Sequence, residues 1–533
     1  MKRKTVKLFA ILLCFVMTAV MSSCKNNQKE TANSKNRLPA GEITYPIKTN
    51  VKLTYWVDLD AKAAASAKNL GYTEFAKELK KQTGIDVEWI HPTLGQEDEN
   101  FNIMASSKNL PDIIERGFLN YPGGPDKAIE DHIILKLNGL IDRYAPNYKK
   151  YLMSEPGLEK QVKTDSGTLY GFPFVRGTDM NCVFYGPIMR GDWLNDLNLE
   201  IPTTIDEYEN VLKSFKDMEG ATAAFTPIGT EDNFIIGAFG ISKGWYIDDN
   251  KKVAYGPARP EFKDYLTVMN RWYREGILDK NFASNNEDAV KSNMLSGKSG
   301  LILGYSGGYL ATLMNIMKDK DSKYELVGAP YPTLKKGEKV KFANKDWKFN
   351  TVTAAITPNC KNPELAMRLL DYGYSKKGNL LYNFGIEGVS FKMVNGYPTL
   401  TDNVIKNPDK LSVAEAIAKY SRGSYVGPFV QSKELDEQFT MGMPQQKQAK
   451  KLWAQADPYP NKYPLATFNS KESQEIVGIE APLNAYVNEN IIKFIMGTEP
   501  LSDFDKFQAQ LKKLNIDRAI EIRQASVDRY NKR

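Results

Sequence analysis

The sequence is poor in the residues on which most hydrolytic and metal chemistry relies. It holds two histidines in 533 residues, His91 and His132. That excludes a histidine-built metal centre and leaves no ready base for a serine or cysteine nucleophile. Cysteine is nearly as scarce, four in all with no CxxC pair, so a zinc ribbon or thioredoxin-type site has no support. An excess of one charge is missing too. Lys and Arg number 71 against 64 Asp and Glu. Four of the bases (Lys2, Arg3, Lys4 and Lys7) crowd the extreme N-terminus, so the remainder is close to neutral. No run or face of Lys and Arg stands out, and nucleic acid is not an expected partner. After residue 25 no apolar stretch approaches the ~18 residues of a membrane-spanning helix. There is no internal repeat. What remains, 42% hydrophobic and 25% charged residues, is the make-up of an ordinary globular protein long enough for more than one core.

The N-terminus reads as an address. Basic residues 2–7 precede the apolar run Leu8 to Met21, and Met21-Ser22-Ser23-Cys24 closes the segment. The run is too short to span a bilayer and ends in small residues, as a cleaved signal does. A cysteine after two small residues resembles the bacterial lipobox, which implies diacylation of Cys24 and cleavage before it. An ordinary secretory signal is the competing reading. The polar, aromatic-free stretch after Cys24 (KNNQKETANSKNRLPAGE) has the composition of a solvated tether and favours the lipobox. A mature chain then keeps Cys182 and Cys360 in its body, too few for a disulfide framework, although the two could pair.

Along the body, residues 51–57 (VKLTYWV) alternate as a strand, Tyr72 to Thr83 reads as a helix closed by Gly84, and residues 85–90 alternate again. Strand, helix, strand over some 40 residues is a βαβ unit and points to a parallel or mixed sheet. Thr204-Ile205-Asp206-Glu207 is a capping box with an apolar stripe behind it, and Asn362-Pro363-Glu364 starts another helix. The last 60 residues are rich in helix formers.

Eight segments, TGIDVEW (Thr83–Trp89), NLPDII (Asn109–Ile114), LIDRYAPNYKKYL (Leu140–Leu152), GTLYGFP (Gly167–Pro173), the run from Met189 to Lys216, RWYREGILDKNF (Arg271–Phe282), CKNPELAMRLLDYGYS (Cys360–Ser375) and NFGIEGV (Asn383–Val389), together resemble one family. It is that of the extracellular solute-binding lipoproteins serving carbohydrate ABC transporters, in the large-bodied branch of Gram-positive bacteria. The resemblance implies an α/β fold, a two-lobed clamp of the periplasmic-binding-protein type II, with mixed sheets flanked by helices and the ligand in the cleft between lobes. The expected layout is a signal peptide over 1–23 and a tether over 24–48. Lobe 1 takes 49–178 plus 351–400, lobe 2 takes 179–350 plus 401–470, and 471–533 forms a helical segment packed on the lobes. Crossovers are expected near 175–182 and 348–353. Several relatives carry a calcium-type loop after the helix equivalent to Thr204–Lys216. Here Asp217 to Phe225 offers two carboxylates where calcium wants six to eight oxygens, so no metal is expected there. No cofactor is called for.

A sugar offers C–H faces to aromatic rings, and 28 tyrosines with seven tryptophans are enough both to fill cores and to pave a cleft, so position must sort them. Trp89, Trp193 and Trp272 follow strand or helix phase and read as core. Trp56 ends the first strand, where ligands collect in open α/β sheets, with core packing as its alternative. Trp245 lies in a Gly-flanked loop that no periodicity explains. Trp347 and Trp453 are weaker instances. Tyr305, in Gly304-Tyr305-Ser306-Gly307-Gly308-Tyr309, comes after a buried strand and opens a helix; a tight turn needs the same glycines. Asp112, after Pro111, either orients the cleft or caps its segment. Glu387, between Gly385 and Gly388, is a ligand or hinge contact. The expected site is therefore Trp56, Asp112, Trp245, Tyr305, Trp347 and Glu387, with no catalytic residue.

The function this implies is capture of a carbohydrate, an oligosaccharide in the first instance, by a monomer lipid-anchored at the outer face of the cell membrane, and its delivery to permease subunits. The alternatives are a peptide-binding lipoprotein and, behind it, a surface glycoside-active enzyme, whose carboxylate pair no local motif announces. Mature protein should partition into detergent, and Cys24→Ala should release it or block its processing; Cys24→Ala protein that stays membrane-bound contradicts the lipid anchor. Chelation by EDTA should leave the melting temperature unchanged, whereas a drop of several degrees reversed by calcium would reveal a bound ion.

Overall fold

The structure, a computed structural model, describes residues 38–229, 233–409 and 411–533. Cys24, the signal segment and most of the expected tether lie outside them. The chain divides after Pro39, and the body, Ala40 to Arg533, carries all the elements of the fold.

In chain order the strands are β1 (Lys52–Trp56), β2 (Asp86–Ile90), β3 (Ile113–Arg116), β4 (Phe172–Arg176), β5 (Tyr185–Arg190), β6 (Phe225–Thr226) and β7 (Trp245–Ile247). They continue with β8 (Val253–Tyr255), β9 (Leu301–Tyr305), β10 (Leu326–Gly328), β11 (Phe349–Ile356), β12 (Phe391–Val394), β13 (Tyr397–Leu400) and β14 (Val430–Gln431). One mixed sheet has the order β14-β4-β11-β3-β1-β2, a second the order β10-β5-β9-β6, and β7–β8 and β12–β13 are hairpins. Each large sheet anchors one lobe.

Local chemistry explains the elements that were legible. The helix Glu74–Thr83 starts on a Thr73 cap and stops at Gly84, whose φ of 76° is left-handed. A side chain at Gly84 would also strike the Ile47 carbonyl, so the position needs glycine twice over. Thr204 and Glu207 close the capping box of the helix Ile205–Met218. The helix after Asn362 begins at Pro363 as expected, but the Asn362 side chain makes no cap bond. Trp193 and Trp272 lie in the core of the second lobe with Phe215 and Phe225. Trp453, a weak loop candidate in sequence, is buried there too, on a helix (Pro444–Trp453). It sits so close over Gly186 that a β-carbon would come within 2.5 Å of its ring.

Three departures have clear causes. Residues 41–47, expected in the tether, run along the first lobe. Arg368 Nη1 donates to the Gly41 carbonyl (2.6 Å), Tyr45 Oη to the Arg368 carbonyl (2.8 Å) and the Ile47 amide to the Thr83 carbonyl (2.8 Å). Tyr45 and Ile47 are the apolar anchors that a purely polar tether lacks. Second, Val430–Gln431, from a stretch assigned to the second lobe, pairs with β4 at the edge of the first sheet. Two residues are too few to show a strand period, and only the partner strand makes them one. Third, the chain consequently passes between the sheets three times: after β4, before β11 and after β14. The helices Ser470–Met496 and Ile516–Asn531 contribute Ile479, Leu483, Ile491 and Ile522 to the core of the second lobe. Cys182 and Cys360 are both free and buried. No helix among the described residues is long and apolar enough to cross a membrane.

Inside the first lobe, Arg422 and Glu115 form an ion pair at 3.0 Å with both side chains almost wholly enclosed, and Tyr55 Oη donates to the same carboxylate at 2.5 Å. A buried charge that loses its partner is strongly destabilising, whereas removing both charges is far less so. Arg422→Met should therefore lower stability by about 3–5 kcal/mol in denaturant unfolding. Adding Glu115→Gln to it should restore much of the loss; a double variant as weak as the single one would contradict a cost that comes from the stranded charge.

Candidate functional site

The second sheet ends in a wall of aromatic rings. Tyr185 opens β5 and Tyr305 closes β9, and the two are register partners, so their rings meet edge to face at 5.0 Å. Phe184 lies parallel to Tyr305 at 6.1 Å. The chain then makes a π-helical turn over Ser306–Ala311, a wide turn that recurs at functional sites. It brings Tyr309 to the same wall, 5.9 Å from Tyr305. Tyr305 stays 42% exposed, an unusual state for a tyrosine at the end of a buried strand.

Trp245 and Tyr246, from the start of β7, line the same cavity. Trp245 is backed by Tyr255 at 4.6 Å and by the Arg523 guanidinium at 4.5 Å. The segment Pro458–Tyr463 extends that hairpin, with the Ile247 amide donating to the Asn461 carbonyl (2.9 Å) and Asn461 Nδ2 to the Ile247 carbonyl (2.8 Å). The segment 342–346, approaching the crossover into β11, completes the enclosure. The cavity measures about 690 Å³, and its polar lining includes Asn233, Ser242, Glu287, Lys345, Asp346, Asn461 and Lys462. Burial, and then the neighbouring Glu287 carboxylate, push the Tyr309 phenol well up; burial does the same to Tyr305. Both phenols thus remain donors at neutral pH. The arrangement offers flat apolar faces beside hydroxyl, amide and charged groups, which is what a polyhydroxylated ring requires.

The floor of the site is tied to the crossovers. Arg176, buried at the end of β4, reaches Asp346 at 2.9 Å and Gln431 at 3.1 Å. Under the π-turn, Gln446 Nε2 donates to the Ser306 carbonyl (2.9 Å) and Ser306 Oγ to the Thr440 carbonyl (3.3 Å). Lys450, fully buried, holds Asp436 at 2.7 Å and donates to Thr440 Oγ1 at 2.9 Å. The Tyr305 platform is therefore braced against the third crossover by the buried hydrogen bonds of Gln446, Ser306, Thr440, Lys450 and Asp436.

Of the six residues expected at a site, the structure brings Trp245 and Tyr305 into this cavity. Trp347 is not part of its lining; it follows the lining residue Asp346 and stacks on Tyr459 at 5.0 Å. The other three lie elsewhere in the structure. Trp56 is buried against Phe101 in the first lobe, because its strand lies between two others and its ring faces the helix Glu97–Ser107. Asp112 accepts from the Thr54 amide (2.8 Å) and hydroxyl (2.9 Å), a tie between β1 and the approach to β3. Glu387 rims a separate hollow of about 930 Å³ lined also by Tyr45, Asp371 and Phe391. Sequence reasoning missed Phe184, Tyr185, Asp346 and Lys462. The aromatic, proline-rich run DPYPNKYP (Asp457–Pro464) was the one local signal for Lys462. Among the described residues no three His, Cys, Asp or Glu side chains converge as a metal site.

The family described as bacterial extracellular solute-binding protein matches residues 63–380. The fructooligosaccharide ABC transporter substrate-binding protein FusA of Streptococcus pneumoniae serotype 4 is 24% identical over 563 residues, covering 99% of each chain. Lipoprotein LipO of Bacillus subtilis is 24% identical over 364 residues, covering 65% of this chain and 69% of its own. Among solved structures, the alginate-binding protein AlgQ2 superposes with a TM-score of 0.73 at 23% identity, covering 92% of this chain and 100% of that one. The fold is accordingly the α/β clamp of type II, with mixed sheets flanked by helices. Since the family match begins on the first lobe, runs through the second and returns to the first, the chain belongs to the bacterial extracellular solute-binding proteins.

Proposed function

We propose that this protein captures an oligosaccharide in the aromatic cavity and delivers it to the permease of an ABC transporter, anchored by lipid on Cys24 at the outer face of the cell membrane and performing no chemistry of its own. The observation that carries the reading is that Tyr305, Tyr309 and Trp245 line one cavity together with amide, hydroxyl and charged side chains. Its support from relatives is that FusA is named for fructooligosaccharide, AlgQ2 for alginate and LipO as a lipoprotein. Stacking supplies affinity and hydrogen bonds select the sugar. Of the expected contacts, Trp245 and Tyr305 are the central ones and Trp347 a peripheral one.

Affinity should fall by about 5- to 150-fold, or roughly 1–3 kcal/mol, in Trp245→Ala and in Tyr305→Ala. The measurement is titration calorimetry with whichever oligosaccharide raises the melting temperature in a panel that also contains peptides, since a tight ligand stabilises the native state by RT ln(1 + [L]/Kd). Both variants should melt normally without ligand. Normal melting together with undiminished binding places the site elsewhere, and stabilisation by peptides alone overturns the saccharide reading.

A further inference from the structure

The charges lining the cavity are not compensated evenly. Its two carboxylates already have bases: Glu287 pairs with Lys291 at 3.2 Å, and Asp346 with the Arg176 guanidinium at 2.9 Å. Its two ammoniums, Lys345 and Lys462, do not have acids. Among the described residues no carboxylate lies within 4.0 Å of either. Lys462 donates to the Lys345 carbonyl and lies 5.4 Å from the centre of the Trp347 ring, while Lys345 lies 4.5 Å from that of Tyr459. Trp347 and Tyr459 are themselves stacked at an interplanar angle of 14°, so each ring of the stack carries one ammonium. Nearby acids are committed elsewhere. Asp249, which touches Asn461, pairs with Lys341, Asp457 with Lys339, and Glu155 and Asp179 share Lys348.

Cation–π contact offsets less than the loss of water around a half-buried ammonium costs. Burial is the main influence on Lys462 and lowers its pKa, with the field of Asp346 opposing it. A hydroxyl could accept from either lysine but would leave both charges standing. An anion between them would not. We propose that the cavity takes an acidic saccharide, whose carboxylate or sulfate is held by Lys345 and Lys462 while its ring lies against the aromatic wall. This rests on the saccharide reading of the cavity and deepens it.

The test uses matched pairs of oligosaccharides: uronic-acid oligomers against their carboxyl-reduced counterparts, and sulfated oligomers against unsulfated ones. Titrations are run at about 0.02 M and about 0.5 M salt, where screening lengths differ several-fold. An acidic member should bind at least about tenfold more tightly than its neutral partner and weaken several-fold at high salt. Which pair shows the effect identifies the anion. Lys345→Met and Lys462→Met should each erase most of that preference without moving the melting temperature of the free protein, and Lys462→Arg should keep part of it. If a methionine variant melts early, the salt dependence of the unaltered protein and the arginine variant decide. A neutral oligosaccharide that binds best and ignores salt overturns the inference and leaves the saccharide reading standing. Salt-sensitive binding that both methionine variants retain also overturns it. Binding of no saccharide of either kind overturns both.

Discussion

The interlobe geometry depends on one buried guanidinium. Arg176 sits where β4 ends and the first crossover begins. Its backbone amide donates to the Lys348 carbonyl at 2.8 Å, Nη2 holds Asp346 ahead of β11, and Nη1 reaches Gln431 at the end of β14. All three passes of the chain between the sheets therefore meet at one side chain, which lies 8% exposed. A charge so enclosed is tolerable only when its partners stay in place, so any relative movement of the lobes must either preserve these contacts or break them together. Phe184 covers the same guanidinium at 4.3 Å and is also part of the cavity wall. The cavity wall and the crossovers thus share a contact.

The rest of the site is positioned from the second lobe. Its sheet supplies Tyr185 and Tyr305 as strand-end partners, its hairpin supplies Trp245, and buried polar contacts from the helix Pro444–Trp453 hold the π-turn from beneath. Rings fixed in this way have little rotamer freedom to lose when a ligand stacks on them, and this is how a preorganised surface gains affinity for a given area. The charged groups obey a similar logic. Glu287 and Asp346 are neutralised within the protein, whereas Lys345 and Lys462 rest on aromatic faces. The electrostatic character of the cavity is then set by the lysines more than by the acids.

Sequence reasoning succeeded where the deciding contacts are local. Gly84, the Thr204–Glu207 box and the start at Pro363 are choices made within one helical turn, and the structure has each of them. Trp245 and Tyr305, singled out because glycines flank them, stand at strand ends and line the same cavity. Glu387 lies apart from these two, because Gly385 and Gly388 shape a turn beside the β12–β13 hairpin, away from the aromatic cavity. Sequence reasoning could not separate Trp56 from a ligand contact, since the end of a strand looks alike in sequence whether a helix or solvent lies over it. Asp112 was ambiguous for a related reason: its partner Thr54 is 58 residues away.

The sequence by itself determined several of the helices and strands and the family of the clamp, since these rest on short-range patterns and on motif order. Only the tertiary structure decided which rings share a cavity, that Val430–Gln431 joins the first sheet, and that residues 41–47 bind the first lobe rather than remain tether. It alone showed that Asp346 has a base and that Lys345 and Lys462 have no acid. Ion pairing and ring stacking join residues far apart in the chain, as Arg176 with Asp346 and Lys462 with Trp347 do, and no period or spacing along a sequence records such contacts.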